Sequence, residues 1–163
     1  MKFKIFIIFL IIFYIYCYFV FPSSVQILQT NIKDFNFSLL NNKQPIVITD
    51  YLFEKEKLIN SWFNYNFTSA INNKNDINDD NNWIHNNNKY LFINANNDTE
   101  IIIYKASIYN NIPNENDTII AIKLEKNQSL ILPYKWKYYI KTKDDINIWG
   151  INDLITYVLK FVF

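Results

Sequence analysis

Ile5 to Phe21 is a run of seventeen uncharged residues, interrupted only by Cys17 and three tyrosines, and its pattern differs from everything that follows. At 1.5 Å per residue such a helix covers roughly 25 Å, the short end for crossing a bilayer. The uncharged stretch continues from Pro22 to Ile32, so another turn is available. Tyr14, Tyr16 and Tyr18 crowd its distal half, where amphipathic rings favour the membrane interface. Beyond it the period changes. Pro45-Ile-Val-Ile-Thr49 is a short β-branched run, and Asp50 is a candidate cap for a helix in which Leu58, Ile59, Trp62 and Phe63 share a face, ending near Phe67. Asn72 to Asn88 is low in complexity and reads as a solvated loop. Six short β runs follow: Lys89 to Ile93, Glu100 to Tyr104, Thr118 to Leu124, Ser129 to Leu132, Trp136 to Ile140 and Ile146 to Ile148. Asp153 is a candidate cap for a last apolar helix, Leu154 to Phe161, a segment that also reads as a buried strand.

This pattern predicts a mainly β (α+β) protein: an N-terminal transmembrane helix, then a sandwich or open barrel with one or two flanking helices. Residues 1–21 are the expected signal anchor, 22–43 a juxtamembrane linker and 44–163 the β domain. Lys2 and Lys4 precede the apolar run, so the positive-inside rule places the N-terminus in the cytoplasm and the domain in the lumen or outside the cell. A cleaved signal peptide shares the basic start and the apolar stretch; the length of the run and the bulky Phe21-Pro22 before Ser23 and Ser24 favour a retained anchor. The expected partner of residues 5–21 is the lipid bilayer.

Composition alters the picture mainly by what it lacks. The chain has 29 Ile, 26 Asn, 16 Lys, 14 Phe and 12 Tyr, all residues with A/T-rich codons, against one Gly and no Arg. A net charge of +1 without a basic block argues against a nucleic-acid partner. Cys17 is the only cysteine and His85 the only histidine, which removes disulfide scaffolds and multi-histidine metal sites. Asp76, Asp79 and Asp80 lack the glycine and the terminal glutamate of a calcium loop. Five sequons, at Asn36, Asn66, Asn97, Asn116 and Asn127, compare with about two expected by chance in so Asn-rich a chain, so N-glycosylation and accident both remain open.

The stretch from Leu124 to Ile140 carries a more specific signal. A strand enters a polar turn, Leu130-Ile-Leu132 leads to Pro133, and Trp136 follows three residues later. This resembles the closing motif of the cupin-like and Jumonji-type β-barrels, and Pro45 to Thr49 followed by a helix resembles their opening. The likeness covers most of Gln44 to Ile148 and implies a double-stranded β-helix, or jelly roll. It places Tyr138 where the family has its last metal-binding His, and His85-Asn86-Asn87 offers no His-x-Asp pair. The facial triad of an iron oxygenase cannot be assembled, so the resemblance implies a metal-free domain with no cofactor and no catalytic activity, acting as a binding or structural module. The chain also resembles membrane-anchored proteins of low-GC giant DNA viruses, which implies a virion or host endomembrane setting.

Period two along the aromatic strand sets Tyr134, Trp136 and Tyr138 on one face and Lys135 and Lys137 on the other. The rings then either line a barrel mouth and stack on a ligand such as a glycan, or form core with the lysines solvated. A protein partner of the exposed domain is the other expectation. The competing function is a lumenal or surface enzyme, for example a glycan-active hydrolase, using Glu100 or Asp144 with Asp145.

Overall fold

In the computed structural model, residues 2–19, 24–50, 54–64, 66–71, 83–105, 113, 117–141 and 146–159 are described. Helix α1 (Lys2–Phe19) is apolar on every side, and its described side chains are exposed except the half-buried Ile15, Phe9 at 63% and Ile12 at 59%. Among the described residues no helix is long and apolar enough to cross a membrane.

The rest is built on two sheets. Strands β1 (Leu28–Thr30), β2 (Ile46–Ile48), β8 (Ser129–Pro133), β5 (Tyr90–Ala95), β10 (Ile146–Asn152) and β3 (Phe67–Ile71) lie in that order in one; β4 (Ile84–His85), β9 (Trp136–Ile140), β6 (Thr99–Lys105) and β7 (Ile119–Leu124) form the other. Every pairing is antiparallel except β1 with β2. From β3 onward the chain crosses between the sheets at each connection but one, the β6–β7 pair.

Side-chain alternation explains why the sheets face each other. Val47, Leu91, Ile93, Leu130, Leu132 and Ile148 project from the larger sheet into one core, where Ile101, Ile103, Ile122, Leu124, Trp136, Tyr138 and Ile140 of the smaller sheet meet them. The intervening Ile46, Ile48, Phe92, Ile131 and Ile151 point the other way into a second core. That core is closed by Leu40 of a 3-10 helix (Phe37–Asn42) and by Ile59 and Phe63 of helix α2 (Lys55–Trp62) and its C-cap. Covered on both faces, β5 and β8 read as nearly continuous apolar runs.

Several expectations are altered here. The stretch 22–43, expected as a linker, supplies β1 and the 3-10 helix from its described residues, and Val25 and Ile27 pack on the inter-sheet core. Asp50 does not cap α2; its Oδ2 accepts from Ile32 N at 2.8 Å, and Glu54 occupies the N-cap in the left-handed region. Helix α2 stops at Trp62, short of the expected end, and Phe67 begins β3. The last segment is a helix, α3 (Leu154–Leu159), started by a capping box in which Asp153 Oδ1 accepts from Thr156 N and Thr156 Oγ1 from Asp153 N. Residues 72–82, including Asp76, Asp79 and Asp80, lie outside the described residues.

Candidate functional site

The centre of the sandwich is where the sequence motif places a site. Trp136 is 1% exposed and Tyr138 4%, both within the apolar inter-sheet core. The Trp136 indole is also tied down, donating to Lys43 O at 3.3 Å. Pro133 closes β8, and its carbonyl accepts from Asn86 Nδ2 at 2.8 Å. Trp136 and Tyr138 thus serve as apolar packing between the sheets, and Pro133 as a fixed point at the end of β8.

Tyr134 does not join the other two rings on the strand. With Lys135 it forms the turn between β8 and β9, Lys135 adopting φ 68°, and Tyr134 stays half-buried beside His85 at 6.2 Å between ring centroids. The lysines are not solvated either: Lys135 is 9% exposed and Lys137 4%. Burial lowers the pKa of both, and the nearby Lys43 lowers Lys135 further. Lys137 Nζ lies 5.9 Å from the centroid of the Tyr104 ring, its direct neighbour on β6. Trp83 meets Tyr104 edge to face at 4.6 Å, completing an aromatic layer on the outer side of the smaller sheet.

His85 pairs with Lys137 across β4 and β9, while Ile84 pairs with Tyr138. Directly opposed residues share a face, so His85 and Tyr138 point to opposite sides of the sheet. The residues present do not fit an iron site, and among the described residues no three His, Cys, Asp or Glu side chains converge. The imidazole is held below its ordinary pKa, first by burial and then by Lys137 and Lys135, although the residue keeps solvent contact that screens the lysines in part.

Of the carboxylates named for an enzyme, Glu100 is the one among the described residues. Glu100 pairs with Lys141 at the surface, and that hydrogen bond is the main reason its pKa is lowered. Asp144 and Asp145 lie outside the described residues. Of the sequons, Asn36 and Asn97 are exposed, Asn66 and Asn127 half-buried, and Asn116 lies outside the description.

A different group comes together on the outer face of the larger sheet. An open hollow of about 370 Å³ is lined by Glu54, Glu56 and Lys57 from the start of α2 and by Asn147 and Trp149 of β10. Trp149 is half-buried, edge-on to Phe92 at 5.9 Å, and Lys57 Nζ bonds Glu54 Oε2 at 2.9 Å. Sequence reasoning missed this group because its two halves lie some ninety positions apart and no local spacing links them.

Comparison with protein-family models, with curated proteins and with solved structures finds no match for this chain.

Proposed function

We propose that the chain is a single-pass membrane protein whose exposed part is a metal-free, cupin-like jelly-roll domain serving as a binding or structural module. The filled interior carries this reading. A barrel that binds a ligand inside keeps an open cavity with a few placed polar groups; here Trp136, Tyr138 and their aliphatic neighbours pack into the space between the sheets. The jelly-roll assignment is supported by strand order: numbering β3 to β10 as one to eight, the sheets read 1-8-3-6 and 2-7-4-5, two interleaved Greek keys. The anchor is supported by α1, whose described apolar side chains join neither core cluster. The domain then faces the lumen or exterior, in a virion or host endomembrane.

The test is to purify the full chain in lipid, supply ferrous iron and oxoglutarate, and measure bound metal and decarboxylation. Background levels of both are expected; stoichiometric iron with turnover would sink the reading. For topology, resistance to alkaline carbonate extraction is expected, together with a glycosidase-sensitive mass at Asn36 or Asn97. Release into the soluble fraction would remove the anchor.

A further inference from the structure

We propose that the hollow between the first turn of α2 and the outer face of β10 is a carbohydrate-binding site. The proposal rests on the reading of the domain as a binding module and adds the place and the ligand class. Its volume of about 370 Å³ falls within the range of small-ligand pockets.

The chemistry of the lining favours a sugar. Trp149 presents part of an indole, the surface on which the C–H face of a pyranose packs, and Phe92 buttresses that ring from the strand alongside. Among the described residues no group accepts from the Trp149 indole N–H, a donor that a half-buried tryptophan normally places. Glu56 is an exposed carboxylate without a described partner, an acceptor on the other wall. Asn147 uses its amide N–H on Asn96 at 3.2 Å, which leaves its carbonyl oxygen as a second acceptor. Lys57, bonded once to Glu54, keeps further donor capacity. Donors and acceptors thus both line the hollow beside an aromatic ring, which suits hydroxyl groups that each both donate and accept.

A cationic ligand would use the ring and Glu56 but would face the Lys57 ammonium, while Glu54 is already neutralised by that lysine. Glu54 itself adopts φ 51°, an uncommon conformation for a residue with a side chain, at the rim of the hollow.

The experiment uses the full chain in sugar-free lipid nanodiscs and follows the indole ¹⁵N–H resonances of the four tryptophans, with Trp149 assigned by Trp149→Phe. Maltotriose, chitotriose and mannotriose are titrated separately, and tetramethylammonium serves as the cationic probe. At least one trisaccharide should shift the Trp149 resonance saturably and be recovered intact. Glu56→Gln, with the other three indole signals unmoved, should weaken that binding about tenfold. No shift with any trisaccharide, or saturation by tetramethylammonium alone, overturns the proposal. A shift confined to another tryptophan overturns the site while leaving the binding module. Cleavage of a bound trisaccharide would leave the site standing and overturn the non-catalytic reading.

Discussion

Asn86 does more for this fold than any charged residue described in it. Its Nδ2 donates to Leu132 O at 2.9 Å and Pro133 O at 2.8 Å, and its Oδ1 accepts from Asn88 N at 2.9 Å. Its backbone bonds Trp136 O and Lys135 N, so one residue ties together the two segments that pass between the sheets. Asn86→Ala strands three buried partners and should cost about 3 kcal/mol or more, read from urea denaturation. Gly150 is the chain's single glycine, and a Cβ there would lie 2.6 Å from Asn88 Oδ1. Gly150→Ala must displace Asn88 and break its 2.9 Å bond from Asn152; a loss of about 2 kcal/mol is expected in thermal melts. His85 should titrate below 6.5 by NMR, and Lys137→Met should raise its midpoint part of the way back, since burial is the larger cause. The sign for stability follows: the unfolded chain takes the proton first, so this contribution is complete above 6.5 and is lost as pH falls toward the folded-state value. None of this was legible beforehand. In a chain with 26 Asn, nothing local separates the buried Asn86, Asn88, Asn94 and Asn152 from those in loops.

Elements with a strong period were legible and the short ones were not. All six β runs after the Asn-rich loop and the Pro45 run appear as strands, with ends close to those expected except for the last, where β10 continues four residues past Ile148 to Asn152, because each alternates between two cores or between core and solvent. β1 and β4 have three and two residues, too few for a period to show. β3 is exposed along nearly all its length; its pairing with β10 through the backbone sets it, not burial. The final apolar segment was ambiguous by period, and the Asp153–Thr156 capping box resolves it as a helix. Asp153→Ala should destabilise the protein by about 1 kcal/mol, measured by urea titration. Asp153 also holds Lys89 at 2.7 Å, so Lys89→Met should reproduce part of that loss.

Across the whole molecule, of the motif positions singled out from sequence Trp136 and Tyr138 lie in the core between the sheets as packing, and Pro133 ends β8. Trp136→Ala should cost about 3–5 kcal/mol and lower the unfolding midpoint of the entire domain, because both sheets pack on that ring. The hollow at Trp149 was invisible from sequence for the opposite reason: its residues are unremarkable until α2 is laid over β10.

The Gln44 side chain receives Gln26 N at 3.0 Å and donates to Ser24 O at 2.7 Å, clasping the first described residues after α1 to the body of the domain. On the proposed topology this sets the length of a leash. From Phe19 to Ser24 the chain can reach no more than about 18 Å even when fully drawn out. The domain would ride against the headgroups rather than sample the space above them, and whatever it meets must come to the bilayer. Tension on the anchor would load the Gln44 clasp and then the β1–β2 pairing next to it.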